Sequence, residues 1–290
     1  MAMATRCAGG GTMSRARKHL AARVAIYTCL IAMALFVLGP LYVMVITSLK
    51  HMSEISSGNI LALPHIPTIA PWLVSAHKLS AGFLNSVKIL IPSVIISIAV
   101  GAIAGYALQF WRLPGASLLV LILLIGAFIP YAVFIYPLVR ILAFFGLFGT
   151  LTGIVIVHTT FGLPVMTILF KNFYSSLPVE LFKAARVDGA GFWRIFASIV
   201  FPMSTPIVIV AVILQVTGIW NDFLLGLVFA GRDNMPMTVE LNNIVTTTTG
   251  TRFYNQDMAA TILTAAVPLL VYLVSGRWFV RGITAGAVKG

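Results

Sequence analysis

The chain contains 290 residues, of which 60% are hydrophobic and only 9% carry a charged side chain. Because roughly a quarter of the residues in soluble domains are charged, this composition indicates an integral membrane protein and excludes an ordinary soluble domain. The net charge of +12 would suit nucleic acid, but basic residues of membrane proteins usually collect in cytoplasmic segments as topology signals. We therefore expect a lipid bilayer, and no nucleic acid, as a partner.

The N-terminal arm, residues 1–23, is basic and leads into an apolar run at 24–47. A cleaved signal peptide has an apolar region of only about 7–15 residues, so we expect an uncleaved anchor, with either Met1 or Met13 as the start. Cys7 and Cys29 are the two cysteines, and they can build neither a disulfide framework nor a Cys-x-x-Cys metal site.

Six apolar stretches are each long enough to cross a bilayer, which takes about 20 helical residues. Each of them contains proline, which removes a backbone donor and bends a helix. These prolines indicate either bent helices that line a transport path or the ordinary occurrence of proline in membrane helices. We predict an all-α membrane protein with six transmembrane helices at residues 24–47, 86–110, 117–139, 151–170, 198–220 and 259–280.

The charges between these spans are distributed unevenly. The segments on one side carry thirteen Lys and Arg residues and two acids, whereas those on the other carry six and five. The positive-inside rule therefore places both termini and the loop at 171–197 in the cytoplasm. Two long segments, 48–85 and 221–258, would lie outside, and the second is either a solvated loop or a docking site for a partner.

Sequence motifs for catalysis are absent. The dipeptide Gly-Lys does not occur, so the chain has no phosphate-binding loop of the Walker type and cannot hydrolyse ATP by that route. There is no catalytic or metal-binding cluster, and we predict neither an enzyme nor a cofactor site. His158 is the one histidine in a predicted span. It is either a functional group or a neutral side chain bonded to a neighbouring helix.

The predicted spans also lack the acidic residues that ion-driven carriers use in mid-membrane. Asp222 comes nearest, at the outer end of the fifth span. If the chain moves a solute uphill, a partner supplies the energy.

The cytoplasmic segment SSLPVELFKAARVDGAGFWRIFASIVFP predicts two short helices joined by a glycine turn. Glu180 suits the first turn of a helix, and Gly189 predicts its end. Ala184, Ala185 and Asp188 fall about one turn apart on a narrow face of small residues. Such a hairpin could lie on lipid headgroups, or its small-residue face could enter a groove on another protein.

This segment resembles the EAA loop of ATP-binding-cassette importer permeases, in which two alanines precede Asp-Gly-Ala and a hydrophobic helix that ends here at Pro202. The ending RWFVRGITAGAVKG and the stretch WNDFLLGL are similar to the maltose-type subunit of the sugar-importer branch. The resemblance reaches from the first span to Gly290. It implies a type I importer permease fold, with a permease domain at 24–280, its core at 82–280, a coupling loop at 171–197 and a C-terminal tail at 281–290.

The resemblance also implies partners. These are a second permease subunit in a heterodimer, two cytoplasmic ATPase subunits that bind ATP and Mg, and an extracytoplasmic sugar-binding protein at a bacterial inner membrane. The loop at 221–258 would meet the binding protein, and Thr284, Ala285 and Gly286 would reach the ATPase. The residues implied to couple the chain to the ATPase are Glu180, Lys183, Ala184, Ala185, Asp188, Gly189, Ala190 and Pro202. Lys183 stands where the family has a glutamate, so this chain cannot make the usual contact of that acid with a basic residue of the ATPase in the same way. Either Glu180, one turn earlier, makes the contact with shifted docking, or the ATPase groove is more acidic.

Polar residues near the outer end of the fifth span could line a substrate path. Their side chains could hydrogen-bond a sugar, and Trp220 could stack on its apolar face, but each could equally pack against a helix. The residues concerned are Gln215, Thr217, Trp220, Asn221 and Asp222. We expect the substrate to be a monosaccharide such as glucose or mannose, with maltodextrin or glycerol phosphate as alternatives. The rival to an importer subunit is a self-contained carrier or channel.

Overall fold

The computed structural model describes the backbone of residues 10–111, 113–246 and 251–287, and the side chains of 19–111, 113–246 and 251–276. Throughout these residues the chain is helical, with turns and short irregular segments between the helices. The α-helices are α1 (Gly10–Ser48), α2 (Met52–Ser56), α3 (Ala70–Phe110), α4 (Ala116–Phe128), α5 (Ile135–Phe144), α6 (Leu151–Tyr174), α7 (Val179–Val187), α8 (Phe192–Ile195), α9 (Phe201–Met203), α10 (Thr205–Trp220), α11 (Leu224–Phe229), α12 (Met237–Val245) and α13 (Tyr254–Ala287).

Four of the described helices, α1, α3, α6 and α13, are each long and apolar enough to cross a membrane. Two further spans are possible if each of two bent helix pairs counts as one crossing, which gives up to six. The predicted all-α membrane fold is confirmed.

The two bent pairs occur at prolines. Ala116–Phe128 meets Tyr131–Phe144 at 98°, and Phe192–Met203 meets Thr205–Trp220 at 77°. Pro130 lies at the first break, while Pro202 and Pro206 flank the second, so backbone donors are missing where each helix turns. Of the two alternatives left open for the prolines, bent helices are therefore found at these two spans. Pro92 and the prolines of the other long helices lie inside continuous helices.

Helix boundaries differ from prediction in the two segments that were predicted to lie outside. Helix α3 begins at Ala70 instead of residue 86. Pro71 is tolerated in a first helical turn, and the polar residues after it lower the hydropathy, so this part of the helix was not recognised as part of the apolar run. The segment 221–258, predicted as a loop, contains the short helices α11 and α12.

The described residues divide into two compact units. The first comprises the chain up to Trp72 together with Phe253–Ala259. In it the buried ammonium of Lys50 donates to the carbonyl oxygens of Asn59 at 3.0 Å and Ile60 at 3.4 Å. The side-chain amide of Asn255 donates to the carbonyl of Lys50 at 2.9 Å. These bonds satisfy a buried cation with backbone acceptors and hold the segment that follows α2 against Lys50.

The second unit comprises Leu73–Arg252 and the chain from Ala260 onward. Its centre is the crossing of α3 and α6 at two glycines four residues apart. A Cβ on Gly101 would lie 2.5 Å from Cβ of Met166, and one on Gly105 would lie 2.8 Å from the backbone nitrogen of Lys171. Small residues let two membrane helices approach this closely. The crossing fixes α6, which carries the cavity residues and leads into the coupling loop.

Candidate functional site

The coupling loop, residues 171–197, contains the predicted pair of short helices. Helix α7 follows Pro178, with Glu180 in its first turn. At its other end the N–H of Gly189 donates to the carbonyl of Arg186 at 3.1 Å, and that of Ala190 to the carbonyl of Ala185 at 2.9 Å. These two bonds and the φ of +77° at Gly189 form a Schellman motif. The predicted glycine stop is confirmed.

One face of α7 packs on the chain's own core. Phe182 is buried, and its ring stacks on Phe110 at the end of α3 with centroids 3.5 Å apart. Ala185, one turn on, is only 8% exposed and belongs to the same apolar cluster. The small-residue face predicted for Ala184, Ala185 and Asp188 is therefore divided, because Ala185 is buried in the core cluster while Ala184 and Asp188 are exposed.

Aromatic residues attach the rest of the coupling loop to α3. The hydroxyl of Tyr106 donates to the carbonyl of Phe192 at 3.3 Å, and the two rings lie 4.7 Å apart. The guanidinium of Arg186 lies 4.5 Å above the ring of Trp111, a cation–π geometry. Both short helices of the loop thus contact the C-terminal end of α3 and the adjoining Trp111.

The opposite face of α7 is exposed. Lys183 and Ala184 lie on it, followed by Val187, which is 88% exposed. Val187 thus adds an apolar side chain to an otherwise exposed face next to Lys183 and Ala184. Glu180, Asp188 and Gly189 are also exposed, Ala190 is partly buried against the core, and Pro202 lies exposed in α9.

The tail residues that the resemblance implies to contact the ATPase are Thr284, Ala285 and Gly286. The backbone of α13 remains helical to Ala287, so the predicted tail at 281–290 begins as a continuation of that helix. The side chains of these three residues lie outside the described part.

A second candidate site is a cavity of about 470 Å³ in the second unit, which we call the transmembrane cavity. It lies against α6, α10 and the turn that follows the break at Pro130. Its lining residues are Tyr131, His158, Phe161, Gly162, Val165, Met166, Leu214, Gln215, Gly218, Ile219, Asn221, Asp222 and Leu225.

Asp222 is the acidic residue of this wall, and it follows the end of α10. Its carboxylate accepts the backbone N–H of Gly226 at 2.9 Å and that of Leu225 at 3.3 Å. Burial raises the pKa of the Asp222 carboxyl, and these two N–H groups oppose that rise. The Nε2 atom of His158 lies 3.8 Å from Oδ2 of Asp222, which is too long for a direct hydrogen bond.

The cavity brings together three of the five residues proposed for a substrate path: Gln215, Asn221 and Asp222. Gln215 also serves the packing of the helices, because its amide donates to the hydroxyl of Ser97 on α3 at 2.8 Å. Thr217 does not line the cavity, and neither does Trp220, whose indole N–H donates to the carbonyl of Thr264 at 2.9 Å. Trp220 is 2% exposed, so its ring faces the core and is not open for stacking on a sugar.

Sequence reasoning missed two aromatic cavity residues, Tyr131 and Phe161, and left His158 undecided. A signal was present for two of them, because His158, Phe161 and Val165 follow the helical spacing that puts residues on one face. Tyr131 follows a break in a predicted span, and its approach to α6 depends on the angle of that break.

Comparison with known proteins agrees with this architecture. Residues 97–285 match the family described as binding-protein-dependent transport system inner membrane component. The osmoprotective compounds uptake permease protein GgtD of Synechocystis is 36% identical over 75% of this chain and 73% of its own length. The glucose import system permease protein GlcU of Saccharolobus solfataricus is 32% identical over 91% of this chain and 95% of its own.

Solved structures show the same fold at low sequence identity. A bacterial ABC transporter involved in the import of the acidic polysaccharide alginate contains a chain with a TM-score of 0.76 and 18% identity, covering 95% of this chain and 100% of that one. Because the family match extends over more than half of the chain, the protein belongs to the binding-protein-dependent transport system inner membrane components and is a multi-pass membrane permease with the type I ABC importer fold.

Proposed function

We propose that this protein is one of two permease subunits in an ATP-driven, binding-protein-dependent importer of a sugar. The observation that carries the proposal is the coupling loop, in which α7 is packed on the core by Phe182 while Lys183, Ala184 and Val187 remain exposed. An exposed helix that is firmly attached on its other side suits insertion into a groove on a partner.

The preferred substrate in this proposal is a monosaccharide such as glucose or mannose. Among the relatives are the glucose permease already described and the alpha-glucoside transport system permease protein AglG of Rhizobium meliloti, 37% identical over 75% of this chain and 59% of its own length. Maltodextrin and glycerol phosphate are the alternatives, and a relative from Yersinia pestis, UgpE, is an sn-glycerol-3-phosphate transport system permease protein.

The proposed partners would supply the ATP-binding sites and the extracytoplasmic sugar-binding protein. Without a Walker loop, ATP and Mg would be bound by two ATPase subunits in the cytoplasm. An extracytoplasmic binding protein would deliver the sugar to the loop at 221–258. One alginate transporter of this fold was solved in complex with a pentasaccharide-bound periplasmic protein, which supports such a partner.

Coupling would proceed through the aromatic contacts between α7, α8 and α3. When ATP closes the ATPase dimer, movement of α7 would be transmitted to α3 through Phe182 on Phe110 and Arg186 on Trp111. The bundle would then change from inward-open to outward-open, because ATP and the loaded binding protein bind one state better than the other. Thr284, Ala285 and Gly286 would make a second ATPase contact from α13.

Reconstitution tests this function. The chain, its second permease and the ATPase subunits are purified together, placed in liposomes and given labelled sugar with the binding protein. We expect sugar uptake that requires both ATP and the binding protein, and none from liposomes that hold the chain alone. Uptake by the single chain would identify the rival, a self-contained carrier or channel. Assembly without uptake of any sugar would reject the sugar-importer function.

A further inference from the structure

The transmembrane cavity contains polar groups that coupling to ATP does not use. We propose that this cavity is a subsite for a neutral polyol, and that Asp222 makes it select against anionic solutes. The inference rests on the proposed function, because it assumes that the solute passes along this chain. It adds that the solute is neutral and names the residue that excludes anionic solutes.

The cavity suits a small solute in size and lining. Its volume of about 470 Å³ falls within the range of about 300–1,000 Å³ found for small-molecule sites. Apolar side chains form most of the wall, and the polar groups among them include His158, Asn221 and Asp222. A mainly apolar wall with a few fixed polar groups is the usual composition of such sites.

The carboxylate of Asp222 is held in one orientation. The N–H groups of Leu225 and Gly226 donate to its two oxygens, and only 8% of the side chain is exposed. An ionised carboxylate has about four acceptor sites, so acceptor capacity remains for the hydroxyl groups of a solute. The imidazole of His158, whose Nε2 lies 3.8 Å from the carboxylate, adds a second hydrogen-bonding group to the same wall.

The charges of the wall argue against an anion. Among the described residues that line the cavity, Asp222 is acidic and none is lysine or arginine. A phosphate or uronate would therefore face a carboxylate in a low-dielectric setting, where like charges repel more strongly than in water. It would also lack the guanidinium or ammonium groups that usually bind such anions. Hydroxyl groups meet no such repulsion.

Aromatic residues complete the wall. The rings of Tyr131 and Phe161 lie edge to face with centroids 6.0 Å apart, and both line the cavity. Together they add an apolar surface for the C–H groups of a sugar to a wall that also carries hydrogen-bonding groups.

Gly218 provides a direct probe, because it lines the cavity and a Cβ there would meet no atom within 4 Å. The Gly218→Cys chain, which also carries Cys7→Ser and Cys29→Ser, is purified with its permease and ATPase partners but without binding protein. Its rate of reaction with a small uncharged thiol reagent is then measured. We expect glucose, xylose or maltose at twice its dissociation constant to slow labelling about threefold, and glucose 6-phosphate and glucuronate at the same concentrations to leave the rate unchanged.

Two variants control this experiment. Ser57→Cys in the same background is exposed and does not line the cavity, so its labelling rate should be the same with every solute. Asp222→Asn combined with Gly218→Cys removes the charge but retains one oxygen acceptor. In that chain we expect glucose 6-phosphate to protect as well as glucose, to within about twofold. If Asp222→Asn does not assemble, the comparison of solutes on Gly218→Cys decides alone.

The outcomes separate this inference from the proposed function. Equal protection by neutral and anionic solutes in the chain with Asp222 would overturn the charge selection. An unreactive Gly218→Cys, or no protection by any of the three sugars, would overturn the subsite. In either case sugar uptake by the reconstituted importer still stands, whereas failure of that uptake rejects the function itself.

Discussion

Gly189 ends α7 in a backbone conformation that other residues adopt at a cost. Its φ is +77°, and a side chain in this left-handed region costs about 1–2 kcal/mol. We expect Gly189→Val to open the turn and to speed hydrogen exchange of the Ala190 amide by roughly 5- to 30-fold. Exchange followed by mass spectrometry provides the measurement. Gly191→Val is the matched control, because Gly191 has a φ of −79° and open space around it; equal acceleration by both variants contradicts the explanation.

Lys183 is exposed on the face of α7 that we propose enters the ATPase. If the groove presents a carboxylate there, Lys183→Glu replaces attraction with repulsion and should weaken ATPase binding, whereas Lys183→Arg should retain it. An exposed ion pair contributes roughly 0.2–1 kcal/mol, and repulsion of similar size would add to its loss, so we expect binding to weaken by about two- to thirtyfold. The difference should shrink at high salt. Titration of the permease pair with its ATPase measures this loss, and tighter binding by Lys183→Glu would indicate a basic groove.

The attachment of helix α7 to the core depends on Phe182, which is 5% exposed and stacks on Phe110. Truncation of a buried Phe costs about 3–5 kcal/mol, so Phe182→Ala should let α7 leave the core. We expect trypsin cleavage after Lys183 and Arg186 to accelerate at least about a hundredfold, since cleavage follows the open population. Trp193→Ala, at a position 65% exposed, should change little. Unchanged cleavage of Phe182→Ala would show that other contacts hold the helix.

The packing of α3 on α6 can be tested at Gly105, where a Cβ would lie 2.8 Å from the backbone of Lys171. Overpacking a close contact typically costs about 1–3 kcal/mol. We therefore expect Gly105→Leu to lower the thermal midpoint of the purified chain by roughly 2–12 °C. Gly126→Leu makes the same change on α4 where no atom lies within 4 Å, and its midpoint should stay near that of the unmodified chain. Equal midpoints for both variants would contradict the close contact.

Most helices could be predicted because lipid demands long apolar runs, and those runs are visible in the sequence. The end of α7 could be predicted for a local reason too, since Gly189 suits a left-handed turn. The burial of Ala185 could not, because it depends on a core cluster whose other residues come from helices far away in the chain. For the same reason the sequence left open whether Trp220 stacks on a sugar or packs against a helix, and the structure shows it bonded to Thr264.

The molecule as a whole exposes large apolar side chains on its long helices. Phe36 of α1 and Phe128 of α4 are each 84% exposed, and Leu273 of α13 is 65% exposed. In water such surfaces would drive association, whereas lipid tails solvate them without cost. The proposed second permease would cover part of the same surface.

The orientation of the whole chain follows from its charges, because thirteen basic residues lie on one side of the predicted spans and six on the other. We expect both termini and α7 to be cytoplasmic. In a Cys7→Ser, Cys29→Ser background produced without the ATPase subunits, a membrane-impermeant maleimide should label Ser57→Cys in right-side-out vesicles at once, and Ala184→Cys only after permeabilisation. Both positions are exposed, so accessibility within the protein does not bias the comparison. Labelling of Ala184→Cys in intact vesicles would reverse the topology and place α7 beyond the reach of a cytoplasmic ATPase.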